Sequence, residues 1–300
     1  MKAPITLALD IGTSSVRAAL YDGSANVLPR TSVKIERTLT STADGGAEID
    51  ADIAFDQVVA AIDAVLEKTK NLKGEIECVA SCSFWHSLVG VDAKGKPTTK
   101  VLSWADRRSR EYSGVLKERF DEAVVHDRTG AHFHSSFWPA KLLWFRRENA
   151  AIFEKTSMWL SLSDYISLKL FGTPVTSLSM ASGTGIFDQR KCIWDKELPR
   201  FLKVKASALP VIAADGDTFR LNRKFAARWP RLAKAAWFPA VADGAADNVG
   251  SGCVTNNKAA LMVGTSAAMR IIYQGKPPKR IPDGLWCYRV DRKRVIVGGA

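Results

Sequence analysis

The 300-residue chain has only five cysteines, Cys78, Cys82, Cys192, Cys253 and Cys287, and no two of them form a Cys-x-x-Cys pair. An odd number without that spacing argues against both a disulfide framework and a structural zinc site, so the thiols are expected to be reduced and buried. Long apolar runs are missing as well. The apolar start of the chain is broken at Asp10, too soon for a secretory signal, and no stretch approaches the about 20 residues that a membrane helix needs. Together these absences predict a cytoplasmic protein with no membrane partner. The third absence is a basic tract. Lys and Arg number 43 against 31 Asp and Glu, a net charge of +12, yet the basic residues are scattered. They cluster only as pairs such as Arg107–Arg108, Arg146–Arg147 and Lys279–Arg280. A scattered charge favours a solvated surface over a nucleic-acid face, while its field suits a small anionic substrate.

What is present is enough apolar material, 46% of residues, to bury a large core, over a length that suggests two domains. Residues 5–10, 16–21 and 33–38 read as three strands. Residues 53–70, with Phe55, Val58, Val59, Ile62, Val65 and Leu66 at helical spacing, read as an amphipathic helix, and the run IECVASCS that follows reads as a buried strand. Further helices are expected over 107–120, 140–148 and 164–171, the last with Ser161 and Ser163 as candidate caps. Three strands, a helix and another buried strand indicate an α/β layered domain. Residues 191–239 are irregular and lead to the expected domain boundary.

One device occurs twice. DIGTSSVRAALYD at Asp10 has a looser counterpart in MVGTSAAMRIIYQ at Met262, each a strand, a Gly-Thr-Ser turn and a second strand with an arginine. Such turns expose backbone N–H groups and hydroxyls with no bulky side chain to hold an anion away, so a pair of them can grip a phosphate chain. A single turn of this kind would be no more than a hairpin.

The paired turns resemble the phosphate motifs of the actin-like ATPase superfamily, and the material between them is similar to the FGGY family of carbohydrate kinases. WHSLVGVDAKGKP at Trp85, LSWADRRS at Leu102, SLSMASGTGIFDQRKCIWD at Ser177 and ADGAADNVGSG at Ala242 carry the resemblance in the family's order. The third segment, with SLSDYISLKLFG before it, looks most like gluconate kinases, with xylulose kinases next. The resemblance implies an actin-like (ribonuclease H-like) domain with a mixed β-sheet flanked by helices over residues 1–240. Residues 241–300 would be the beginning of a second such domain, the ATP-binding one, cut short before its adenosine pocket.

The implied activity is transfer of the ATP γ-phosphoryl group to a hydroxyl of a sugar or sugar acid, gluconate favoured, with xylulose or another ketose or polyol as the alternative. The implied cofactors are ATP and Mg²⁺, and the partner is the small-molecule sugar. Asp10, at the end of the first strand, would hold Mg²⁺ through water. Gly12, Thr13, Ser14, Ser15 and Arg17 match the family's first phosphate motif, and Gly264, Thr265 and Ser266 the second. Ser15 and Arg17 can equally be hairpin or solvent-facing residues. Asp243 follows the apolar WFPAVA and precedes small residues that read as a helix start. Residue chemistry alone leaves it open between helix cap and general base; the resemblance implies the base. Trp85, His86, Trp104 and Asp106 match the sugar-binding positions, although Trp85 stands where xylulose kinases have Met. Asp247 and Asn248 are further candidates, and Arg107 and Arg108 suit either a substrate carboxylate or the surface.

Plainer readings cover the rest. His132 and His134 alternate as in some metal sites but have no nearby carboxylate or cysteine in sequence, NVGSGCV lacks a full dinucleotide fingerprint, and Trp144 with Phe145 reads as core. From another functional class, a non-catalytic sugar-binding fragment is also compatible with the sequence, and a nucleic-acid-associated basic protein fits less well. Oligomeric state stays open, a homodimer included.

Overall fold

The computed structural model describes residues 4–263 and 267–299. Its centre is a mixed sheet built from β1 (Ile5–Ile11), β2 (Ser15–Tyr21), β3 (Val33–Glu36), β4 (Ile76–Ser83), β5 (Ala236–Trp237) and β6 (Val241–Ala242). The strand order is β5-β4-β1-β2-β3, with β6 also on β4. β1, β2 and β3 form an antiparallel meander, whereas β4 runs parallel to β1, and β5 and β6 parallel to β4. Alternation along β1 buries Ile5, Leu7, Leu9 and Ile11 on one face. That face meets α1 (Ala51–Lys68), whose Phe55, Val58, Val59, Ile62 and Val65 supply the other half of the core.

α1 begins two residues before the expected start because Asp50 caps it, its Oδ1 accepting the Ile53 N–H at 3.0 Å. Ile53 itself is exposed. β3 stops at Glu36 rather than reaching residue 38, because the next residue, Arg37, turns back to the β1–β2 hairpin: its N–H donates to the Ser14 carbonyl at 2.8 Å. α2 (Arg110–Arg119) starts later than expected, since the Asp106 carboxylate accepts the Arg108 N–H and holds the preceding residues as a turn.

A second core cluster gathers around α3 (Trp138–Glu148), with Leu142, Leu143 and Phe145 packed against Leu88, Leu102 and Trp159. Phe145 is core as expected, while Trp144 is only half-buried and carries the Arg108 guanidinium over its ring. α4 (Leu162–Phe171) has a capping box made by Ser161 and Asp164 and ends at Gly172, whose φ of 84° suits glycine. Residues 191–239 hold only short helices and strands.

After β6 the chain forms α5 (Asp243–Gly250) and then a second, four-stranded antiparallel sheet. Its strands are β7 (Ala259–Val263), β8 (Ala267–Gln274), β9 (Trp286–Arg289) and β10 (Arg294–Gly299), in the order β7-β8-β10-β9. The second Gly-Thr-Ser motif, with the expected phosphate ligands Gly264, Thr265 and Ser266, lies outside the described residues. Among the described residues no helix is long and apolar enough to cross a membrane.

Candidate active site

The register of the parallel strands brings three chemistry-bearing residues to one end of the sheet. Asp10 pairs with Cys82 across β1–β4, Cys82 pairs with Val241 across β4–β6, and Asp243 follows β6 directly. The carboxyl ends of parallel strands are where α/β sheets bind ligands, because the chain leaves the sheet there and opens a crevice. The sheet face that bears Asp10 opens on a cavity of about 550 Å³, lined by Arg17, Tyr21, Cys82 and Val241 among others.

Asp10 accepts from Arg17 Nη1 at 3.1 Å and from the Cys82 thiol at 3.5 Å. Burial, together with the Asp10 and Asp243 carboxylates, pushes the Cys82 thiol well above its ordinary range, so it stays protonated. Asp243 is the first residue of α5, and Ala242 occupies the cap position, so the aspartate is not used as the cap. Its Oδ1 accepts the Gly244 N–H at 2.7 Å. Burial raises its pKa from 3.8 to about 6; the Gly244 N–H and Arg270 pull it down, while Asp10 and Asp247 push it up. A carboxylate with a pKa near neutrality is suited to accepting a proton.

The first Gly-Thr-Ser turn joins β1 to β2. Gly12 N–H donates to the Ser15 carbonyl at 2.9 Å, and Arg37 Nη1 donates to the Gly12 carbonyl at 2.9 Å. Arg37, nearly buried and bonded also to Gln57, thus fixes the turn from behind. Among the described residues the Thr13 and Ser14 hydroxyls have no side-chain partner, which leaves them free for an anion. Ser15 is buried and Arg17 is engaged by Asp10. For Mg²⁺, the described residues contain no group of three or more acidic, His or Cys side chains placed to hold a metal ion by themselves. A lone hard carboxylate such as Asp10 fits an ion held mainly through water and phosphate oxygens.

The second part of the site lies where residues 84–87 and 102–105 meet the start of α3. His86 has φ 66°, a conformation that costs a non-glycine residue about 1 kcal/mol or more. Its Nδ1 is 2.5 Å from the Gly183 carbonyl, which can only accept, so Nδ1 carries the proton and Nε2 is left as an acceptor. The ring meets Phe137 edge-on at 4.7 Å, and burial lowers its pKa to about 3, keeping it neutral. Trp104 is 45% exposed and offers its ring as an apolar surface. His134 lies close by: its Nδ1 and the Ser136 hydroxyl are 3.0 Å apart, and that hydroxyl donates to the Trp104 carbonyl at 2.8 Å. His132 instead stacks on His126.

Two expected sugar ligands are spent internally. Trp85 is buried, its Nε1 donates to the Ser179 carbonyl at 2.9 Å, and its ring packs edge-on against Trp286 and Tyr288. A Cβ on Gly244 would lie 2.7 Å from its ring, so Trp85 spaces His86 from the Asp243 helix rather than facing a ligand. The Asp106 carboxylate is fully buried and taken by the Ala47 N–H and by Arg108, which also holds Glu48. Arg108 is therefore not free to grip a substrate. Asp247 lies 3.6 Å from Arg270, and Asn248 donates to the Arg270 carbonyl.

Sequence reading missed Arg37 and Cys82 as members of the site, took His134 only as half of a His-x-His pair, and met Arg270 only as the arginine after the second Gly-Thr-Ser motif. The alternation of AHFHSSFW was the one available signal for His134.

A meander continued by parallel strands, with acidic residues at the strand ends and a phosphate-type hairpin turn, is the architecture of an actin-like ATPase domain of carbohydrate kinases, and the solved structures of such kinases match it. Within that class the chain belongs to the FGGY family of carbohydrate kinases: the model of the family's N-terminal domain matches residues 5–247. Gluconokinase of Bacillus subtilis (strain 168) is 26% identical over 294 residues, 98% of this chain and 56% of that protein. The chain thus spans a little over half the length of the curated relatives it matches. Among solved structures, gluconate kinase from Lactobacillus acidophilus has a TM-score of 0.89 at 27% identity over 99% of this chain and 59% of its own. Ligand-bound xylulose kinase from the same organism has 0.90 at 28% identity over 98% and 59%.

Proposed function

We propose that the chain is the acceptor-binding part of an ATP-dependent sugar kinase that phosphorylates a hydroxyl of a sugar acid, gluconate first. The carrying observation is Asp243: a carboxylate at the first turn of α5, beside the Asp10 strand end, with its pKa raised to about 6 by burial. Bound Mg–ATP would supply the electrophilic γ-phosphoryl group. Asp243, ionised at neutral pH, accepts the proton of the attacking hydroxyl. Thr13 and Ser14 would bond phosphate oxygens, and Gly264, Thr265 and Ser266, which match the family's second phosphate motif in sequence, would serve the same end. Asp10 would hold a hydrated Mg²⁺, and Arg17 keeps Asp10 oriented. His86 accepts from a sugar hydroxyl through Nε2, and Trp104 covers an apolar sugar face.

Gluconate is favoured over xylulose because the sequence likeness to gluconokinase is the more extensive of the two: 294 aligned residues against 264 for xylulose kinase of Bacillus subtilis (strain 168). Calorimetric titration of gluconate, xylulose and glycerol tests the acceptor reading. Gluconate is expected to bind best and to lose at least ten-fold in affinity in both His86→Ala and Trp104→Ala; equal binding by the variants would overturn it.

A further inference from the structure

Helix α3 carries a lysine at its contact with the two acceptor segments. Lys141 is completely buried, and an ammonium in that position needs its protons taken by nearby acceptors. Its Nζ donates to the His86 carbonyl at 2.8 Å and to the Ser103 carbonyl at 2.8 Å. Those carbonyls belong to His86 itself and to the residue before Trp104. Otherwise the two segments are joined directly by one antiparallel bridge, Leu88 with Leu102, each N–H donating to the other's carbonyl. The left-handed backbone at His86 makes an external restraint necessary if the imidazole is to keep one orientation.

We propose that Lys141 is a positioning residue of the acceptor site, its ammonium clamping the His86 and Trp104 segments at one spacing so that imidazole and indole can engage the same polyol. The inference rests on the acceptor reading given above. Four charged or titratable groups act on Lys141 or respond to it. The Asp106 carboxylate favours the ammonium and Arg108 opposes it, while His86 and His134 have lowered pKa values and are uncharged at neutral pH. Burial pushes the Lys141 ammonium down to about 7. Above that pH the amine keeps two protons but loses its charge, and its bonds to the carbonyls weaken. Acceptor affinity therefore falls as pH rises through 7.

The test compares Lys141→Met, which keeps the side-chain length without donors, with Val65→Ala, a fully buried residue of α1 that belongs to the first core cluster rather than to the one holding Leu88 and Leu102. Hydrogen exchange is followed at the Leu88, Leu102 and Ser103 amides, and gluconate is titrated across pH 6 to 8.5. In Lys141→Met, exchange at these amides is expected to rise at least ten-fold, gluconate affinity to fall at least ten-fold, and the pH dependence to vanish. Val65→Ala is expected to lower the melting temperature with neither effect. Unchanged exchange in Lys141→Met, or both effects reproduced by Val65→Ala, overturns the proposal. Failure of the wild-type chain to bind gluconate would overturn the acceptor reading, while exchange at the three amides would still decide the clamp.

Discussion

Replacing Asp243 by Asn should stabilise the fold, and by an amount that depends on pH in a defined direction. In the unfolded chain the carboxyl titrates near 3.8; in the fold burial holds it at about 6. The folded state therefore binds a proton more tightly, and between those two values the wild type loses stability as pH rises. At about 1.4 kcal/mol per pH unit the loss amounts to about 3 kcal/mol at most, complete above pH 6 and absent below pH 4. Asn has no charge to desolvate and retains an oxygen to accept the Gly244 N–H, so the variant escapes the loss. Urea unfolding of both proteins from pH 3.5 to 8 measures the difference. It should be near zero at pH 4 and grow to about 2–3 kcal/mol in favour of the variant at pH 7. A difference that is flat with pH, or a variant less stable at neutral pH, would refute the view that Asp243 is a charge held in an unfavourable place for chemistry.

Three further outcomes follow from the geometry. Gly244→Ala drives a Cβ to 2.7 Å from the Trp85 ring and 2.8 Å from Arg270 Nε, so it should cost about 1–3 kcal/mol by thermal unfolding and weaken sugar binding with it; a neutral change would contradict the packing. His86, half-buried and neutral, should show no imidazole titration by NMR between pH 5 and 8, while a midpoint near 6.5 would mean that its ring is solvated. Asp50→Ala removes the α1 cap and the Lys100 partner and should cost about 1 kcal/mol in urea unfolding, against no change if the cap is idle.

Strands β1 to β4 and helix α1 were legible from their apolar patterns, alternation along β1 and Phe55, Val58, Ile62 and Val65 along one helix face, whereas β5 and β6, two residues each, are too short to carry one. Asp243 was legible as the opening residue of a helix, since small residues follow it. Trp85 and Asp106 show where that reading stops. Their types suit sugar recognition, yet Trp85 gives its N–H to Ser179, 94 residues away, and Asp106 accepts from Ala47, 59 residues away. Such partners are set by the assembled fold and leave no local trace. Lys141 left a faint trace, a charge inside the apolar run PAKLLWF, but its acceptors at His86 and Ser103 lie 55 and 38 residues back. Arg37 was misread as strand because its neighbours alternate, whereas its side chain and amide serve the Gly12 turn.

Coupled phosphorylation of gluconate by Mg–ATP, with the complete kinase of which this chain is proposed to be the acceptor-binding part, as wild type and as Asp243→Asn side by side, tests the central claim most directly. The account predicts turnover by the wild type and a loss of at least 100-fold in the variant, the scale expected for removal of a general base. Equal turnover by the two proteins would contradict it.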